Sequence, residues 1–333
     1  MSTPISGAST APAFKELQEA ADWFAVLQDK ATDEAERMRW KTWLNTGPGQ
    51  RAAWERVEAV AGELAGLAGL PVRQILDRTA AVSGRRRTAL RALAIVPVAS
   101  LSGWQTLRST PWRSWVTAYR TNTGERREVV LTDGSRLWLN TATIVDIDFT
   151  QRLRRIVLYK GEILVTSGHG DHVAAPLVVD VLQGRLTALG TQFAVRHEGE
   201  GFARLAVFEG AVEAQPIYGG EPRTLAAGEQ TRVFASRVET PSPVTGADSY
   251  KVDWTRGMLV TNGMRLGDFV AELGRYRPGY MACAPEVADL RIVGAFPLSD
   301  PDRILDALQS TLPVKVHRPL PWWTMVSGKP PTR

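Results

Sequence analysis

Residues 128–139 read Glu128-Val129-Val130-Leu131-Thr132-Asp133-Gly134-Ser135-Arg136-Leu137-Trp138-Leu139. Two short runs rich in large and β-branched side chains flank an Asp-Gly step. That arrangement is the strongest short-range signal for a β-hairpin, because glycine takes a positive φ without steric cost and aspartate bonds its own turn. The same texture extends outward from about residue 118 to about residue 236. Apolar runs at Ile144–Phe149, Ile156–Tyr159, Ile163–Thr166, Leu177–Val181, Leu186–Ala188, Phe193–His197, Arg204–Phe208 and Val212–Gln215 are punctuated by Gly161-Glu162, Glu209-Gly210 and Gly228-Glu229. Many short strands at close spacing predict an all-β unit, a sandwich, roll or solenoid.

The flanks have other periods. Phe14, Leu17, Ala21, Phe24 and Leu27 recur at spacings of three and four, one apolar stripe of a helix over about residues 14–29. Thr32, followed by Asp33 and Glu34, is expected to cap a second helix carrying Met38, Trp40, Trp43 and Leu44. Pro48 can open a third, with Ala53, Trp54, Val57, Val60 and Leu64 on one face. A short amphipathic segment is possible near Val72 to Leu76. The expectation is a small all-α bundle. Trp23, Trp40, Trp43 and Trp54 crowd it, and serve either as its core or as a partly exposed aromatic face of the kind that dominates interfaces. Past a linker with Pro241, Pro243 and Gly246, a strand at Met258–Thr261, a helix at Leu266–Tyr276, strands at Gly279–Ala284 and Arg291–Phe296, a helix at Asp300–Thr311 and a strand at Val314–His317 predict a small α+β split-βαβ unit.

Between the helices and the strands stands Arg85-Arg86-Arg87, then an apolar run from Ala89 to Leu101, then Trp104, Trp112 and Trp115. A membrane crossing needs roughly 20 predominantly apolar residues, and Arg91 and Pro97 interrupt this one. The charge block on one flank and the tryptophans on the other are the pattern of a crossing whose N-terminal side is cytoplasmic; a buried core helix is the alternative. Arg86-Arg87 also fits a short twin-arginine export signal. The N-terminus lacks a positive region followed by an apolar one, so any export signal is expected to be internal. The expected division is residues 1–84 helical, 85–107 transmembrane, 108–240 β-rich and 241–333 α+β.

Composition narrows the chemistry. In 333 residues, 44% are hydrophobic and 23% charged, with a formal net charge of +5, values of a globular protein. The basic residues are mixed with acids, with no basic stripe that would read nucleic acid. A lone cysteine, Cys283, makes no internal disulfide. There is no Gly-x-Ser-x-Gly, phosphate loop, dinucleotide fingerprint or His-Glu-x-x-His. His169-Gly-Asp171-His172 has metal-like spacing but no further ligand nearby. His197 and His317 read as surface residues, and Asp146 and Asp148 as one polar strand face. No cofactor, no metal and no enzymatic activity are expected, with one exception given below.

Ala20-Ala21-Asp22-Trp23, Trp40, Thr42-Trp43-Leu44 and Arg51-Ala52-Ala53-Trp54-Glu55-Arg56-Val57 resemble the N-terminal domain of FecR-type regulators. Leu131 to Asn140, Gly161-Glu162, Leu189-Gly190-Thr191-Gln192-Phe193, Val207-Phe208-Glu209-Gly210-Ala211-Val212 and Gly228-Glu229 resemble the family's β region, in family order. Asp253-Trp254, Gly257, Leu259, Phe269, Tyr276, Asp289-Leu290-Arg291 and Asp306-Ala307-Leu308 resemble its C-terminal unit. Position 132 is Thr where the family often has Pro. The resemblance implies an inner-membrane, single-pass anti-sigma factor with a cytoplasmic N-terminus and a periplasmic C-terminus. Its helical unit would bind an extracytoplasmic-function (ECF) sigma factor through Trp23, Trp40, Trp43 and Trp54. Its periplasmic part would contact the signalling domain of a TonB-dependent outer-membrane transporter, in regulation of iron-siderophore uptake, and envelope proteases would release the cytoplasmic piece. It also implies self-cleavage between Gly190 and Thr191. The rival reading is a membrane-anchored periplasmic carbohydrate- or envelope-binding module, which leaves the tryptophan-rich helices without a role.

Overall fold

The computed structural model describes residues 12–28, 32–67, 119–168, 175–198, 201–244 and 250–329. Helices α1 (Phe14–Gln28), α2 (Glu34–Leu44) and α3 (Pro48–Leu67) come first. Asp33, one residue past the expected Thr32, caps α2: its Oδ1 accepts from the Glu36 N–H at 2.7 Å. The Thr32 hydroxyl donates backward instead, to the Val26 carbonyl at 2.6 Å. A carboxylate both satisfies an orphan N–H and complements the helix dipole, so the acid takes the cap. Leu17, Ala20 and Ala21 of α1 meet Ala53, Val57 and Val60 of α3 in one buried cluster.

The β region holds β1 (Tyr119–Arg120), β2 (Arg127–Val130), β3 (Arg136–Leu139), β4 (Ile144–Phe149), β5 (Arg154–Lys160), β6 (Glu162–Thr166) and β7 (Leu177–Val181). It continues with β8 (Gly184–Ala188), β9 (Gln192–Glu198), β10 (Phe202–Glu209), β11 (Ala211–Pro216), β12 (Arg223–Ala226), β13 (Glu229–Phe234) and β14 (Ser242–Pro243). They form two seven-stranded sheets, ordered β1-β4-β5-β7-β8-β11-β12 and β14-β13-β10-β9-β6-β3-β2. Both orders follow the sequence, so the chain advances along the two sheets together, crossing between them every one or two strands. Alternate residues point inward and close one core, with Leu137, Leu139, Ile156, Phe193, Val195 and Leu205 fully buried. The Asp133-Gly134 turn forms as expected, Gly134 at φ 79° and the Leu131 N–H on the Ser135 carbonyl at 2.8 Å. The Asp133 carboxylate, 2.6 Å from Arg154 and taking hydrogen bonds from Ser135, sits below its ordinary pKa: burial opposes the shift, and the Ser135 and Arg154 hydrogen bonds outweigh it.

The last part holds α4 (Tyr250–Asp253), β15 (Met258–Arg265), α5 (Leu266–Gly274), β16 (Tyr280–Cys283), β17 (Arg291–Pro297), α6 (Pro301–Thr311), β18 (Val314–Leu320) and β19 (Trp323–Gly328). Its strands split into β15-β17 and β16-β19-β18, with β16 and β19 parallel. This is the expected β-α-β-β-α-β order with one further strand. Leu164 of β6 and Ala194 of β9 share a buried cluster with Trp254, Leu259, Phe269 and Leu305 of this unit. The sheet carrying β6 and β9 is thus covered on both faces, which explains why Glu162, Ile163, Leu164 and Val165 are all buried instead of alternating.

No helix among the described residues is long and apolar enough to cross a membrane. The expected crossing at 85–107, with Arg85, Arg86 and Arg87, and the segment 72–76 lie outside the described residues.

Candidate functional site

The helical unit brings part of its tryptophan set together. Trp40 of α2 lies 5.0 Å from Trp54 of α3, and Phe24 of α1 lies 5.7 Å from Trp54, ring centroid to centroid. The spacing suits tilted aromatic packing. Trp43 turns its indole N–H to Glu19 Oε2 at 2.8 Å, which pins α2 to α1. Trp23 is half-buried on α1, outside that stack. All four tryptophans are half-buried, so each serves as core on one side and surface on the other.

The stack continues into the C-terminal unit. Phe24 meets Trp322 edge-on at 5.6 Å, and the Arg56 guanidinium sits over the Tyr280 ring at 5.4 Å. His317, expected at the surface, places Nε2 2.8 Å from Asp22 Oδ1. Leu320, Trp323 and Met325 join the buried cluster of α1 and α3.

A second constellation lies where α5 meets the β region. Glu272 of α5 is buried and takes Arg196 of β9 at 2.6 Å and Arg275 at 2.6 Å. Arg275 also reaches Glu162 of β6 at 2.8 Å. The Asn140 amide donates to Glu162 Oε2 at 2.8 Å and to the Tyr276 hydroxyl at 2.9 Å. Burial alone would raise the Glu272 pKa, but the charges of Arg275 and Arg196 prevail and hold it down, to about 2. Burial pushes the Tyr276 hydroxyl above its ordinary value, with Glu272 adding to the shift. Buried charges that are fully paired in this way lock two surfaces in one register.

The Gly190–Thr191 step lies at the start of β9. Gly190 has φ +74°, a left-handed conformation that glycine adopts readily. Across from it, a β-carbon at position 210 would overlap the Gly190 carbonyl oxygen, so Gly210 gives that carbonyl its room. Thr191 is 2% exposed, and its Oγ1 has no hydrogen-bond partner among the described residues. Buried hydroxyls are nearly always bonded, which makes this one unusual. The Ser167 N–H donates to the Thr191 carbonyl at 2.9 Å. The Thr191 N–H donates to the Ser167 side-chain Oγ at 2.8 Å, where a regular antiparallel ladder would use the Ser167 carbonyl.

Of the remaining sequence candidates, His169, Asp171 and His172 lie outside the described residues, and the described ones hold no group of three or more metal-ligating side chains. Asp146 and Asp148 lie on β4, with Asp146 Oδ1 accepting from the Ile147 N–H at 2.9 Å. His197 is half-buried on β9. Sequence reasoning did not single out Ser167, Arg196, Glu272 or Arg275. Only the register of β6 against β9 (Thr166 opposite Gln192, Glu162 opposite Arg196) brings their roles into view.

No curated protein matches the chain. Two crystal structures of a candidate anti-sigma factor from Parabacteroides distasonis ATCC 8503 share the fold, each with a TM-score of 0.50. At 20% and 21% identity they cover 64% and 63% of this chain and 98% of their own. Residues 18–60 match the family model of a domain of unknown function, DUF4880. Residues 117–213, which run from β1 through the Gly190–Thr191 step into β11, match the model of the FecR protein.

Proposed function

We propose that this chain is a membrane-anchored anti-sigma factor and sensor. The observation that carries the reading is the pairing, in one chain, of a FecR domain with a tryptophan-rich helical unit matching DUF4880. The helical unit binds an ECF sigma factor in the cytoplasm through the face that presents Phe24, Trp40 and Trp54, with Trp23 and Trp43 at its margins. A single crossing at residues 85–107, with Arg85, Arg86 and Arg87 on the cytoplasmic flank, leaves the FecR domain and the C-terminal unit in the periplasm. There they receive the signalling domain of a TonB-dependent transporter, in control of iron-siderophore uptake, and envelope proteases complete the release. Such a crossing separates Phe24, Asp22 and Arg56 from Trp322, His317 and Tyr280, and so uncovers the α1–α3 surface for its partner. A protein of this kind need not touch nucleic acid itself.

The self-cleavage reading belongs to the same proposal. The Thr191 hydroxyl belongs to the residue that follows Gly190, so its attack on the Gly190 carbonyl carbon closes a five-membered ring; it has no hydrogen-bond partner among the described residues, and Gly190 offers no side chain to obstruct attack. Ester formation at Thr191 followed by hydrolysis would leave two associated pieces.

The test is co-purification of the full chain with the ECF sigma factors of its own cell. Trp54→Ala and Trp40→Ala variants that keep their circular dichroism should weaken capture about 30-fold, the equivalent of about 2 kcal/mol for a buried interface tryptophan. Capture at wild-type strength by every single tryptophan variant would show that the aromatic face is not the site. Reporter fusions after Gly84 and after Thr123 test the crossing; equal cytoplasmic activity from both would remove it. A disulfide forming between Asp22→Cys and His317→Cys in cells would show both units on one side.

A further inference from the structure

The scissile amide of the proposed self-cleavage has an uncommon hydrogen-bond partner. Its carbon belongs to Gly190 and its N–H to Thr191, and that N–H donates to a serine hydroxyl, Ser167 Oγ, at 2.8 Å. Both residues are buried, Ser167 at 5% and Thr191 at 2% exposure. A backbone carbonyl in this place could only accept. A hydroxyl both accepts and donates, and its proton rotates to suit. Resting on the self-cleavage reading, we propose that Ser167 is a catalytic residue of that reaction, the proton donor to the departing Thr191 nitrogen.

Thr191 Oγ1 bonds to the Gly190 carbonyl carbon and gives up its proton to water. The amide nitrogen, no longer conjugated, becomes basic and pyramidal. Ser167 Oγ–H, already 2.8 Å away, delivers a proton as the carbon–nitrogen bond breaks. The nitrogen leaves as a free amine, and Ser167 recovers its proton from water. Water then hydrolyses the Gly190 ester, giving a new carboxylate and restoring the Thr191 hydroxyl. Amide nitrogen is a poor leaving group unless protonated, so the donor acts on the step that makes the ester. Ser167 also fixes the amide: its own N–H holds the Thr191 carbonyl at 2.9 Å, so both polar groups flanking the Thr191 α-carbon are bound to one residue.

The experiment is a time course on the purified full chain, with gel and mass analysis for a new N-terminus at Thr191 and Thr191→Ala as blank. Ser167→Ala should slow fragment formation by about 100-fold or more, the usual contribution of a positioned general acid, at unchanged melting temperature. Ser167→Thr, which keeps the hydroxyl, should cleave within a few-fold of wild type. Hydroxylamine, which captures esters, should speed the wild type and leave Ser167→Ala slow. Cleavage of Ser167→Ala at the wild-type rate overturns the role of Ser167 and leaves self-cleavage standing. Rescue of Ser167→Ala by hydroxylamine also overturns it, because the defect would then lie in ester hydrolysis. A wild-type chain that stays whole overturns self-cleavage and this role with it. If Ser167→Ala proves unstable, Ser167→Cys keeps the volume and changes the donor's acidity; an unmoved pH–rate profile would then overturn the assignment.

Discussion

Replacing Glu272 by Gln keeps the shape of the side chain and removes one charge from the lock between α5 and the β region. Two short contacts lose their ionic character, to Arg196 and to Arg275, each at 2.6 Å. Removing one partner of a buried pair costs about 3–5 kcal/mol, because the other charge is left without compensation. The low end applies: Arg275 keeps Glu162 at 2.8 Å, and the Arg196 and Arg275 side chains are 21% and 17% exposed. About 3 kcal/mol corresponds to a melting temperature lower by roughly 6–12 °C for a unit of this size. The pH dependence adds a signature. The folded carboxyl titrates near about 2 against an ordinary 4.5, so its contribution is fully present above the ordinary value and lost as pH falls through the folded one. The gap between wild type and Glu272→Gln in urea unfolding, followed by circular dichroism, should therefore be full at pH 7 and close between about pH 4.5 and pH 2. A gap under about 1 kcal/mol at pH 7, or one that does not change with acid, would refute the view that this carboxylate is ionised and fastens the two units.

Other changes reach other parts of the fold. Gly279→Ala places a methyl group on the Trp322 carbonyl oxygen at a backbone φ of +102°; unfolding should show a loss of about 2 kcal/mol or more, and wild-type stability would mean that β16 and β19 pack differently. Cys283 has its thiol pushed up to about 11 from 9.0, by burial first and the nearby Glu286 second. At pH 8 its reaction with a disulfide reagent should run about 100-fold slower than that of a free cysteine, and equal rates would show an open thiol.

The strands of the β region were legible because one face of most of them meets the core and the other meets solvent. Ile144–Phe149 and Leu177–Val181 stand where their apolar runs put them. β12 to β14 were missed: Arg223–Ala226 and Glu229–Phe234 carry too many polar side chains to announce themselves, and are held by pairing with β11 and β10. β19 was missed: Pro319 stands within β18 and Pro321 just before β19, and proline interrupts a strand pattern. β6 was seen as a strand, but its fully buried pattern makes sense only once α5 and its neighbours cover it. The tryptophans and the Gly190-Thr191 pair stood out as residue types in a recognisable order. Ser167 did not, since a serine at a strand end carries no signal until the ladder sets it against Thr191. Nor did the buried charges, because Arg196 and Glu272 meet across 76 residues of sequence, and Glu162 and Arg275 across still more.

The placement of that charge cluster has a mechanical consequence. Glu162 and Arg196 face each other on the same rung of the β6–β9 ladder, and α5 grips one through Arg275 and the other through Glu272. In a chain nicked after Gly190, β6 belongs to the first fragment, while β9 and α5 belong to the second. The helix then acts as a staple across the cut, at the opposite end of the ladder from the nick. A pull applied to the C-terminal unit reaches both strands at one rung, and loads them together before it can peel them apart. The five paired positions of β6 with β9 and the five of β8 with β11 would have to yield in shear. A break in the covalent chain would leave a molecule that still carries tension, one that parts under a directed force and holds against diffusion.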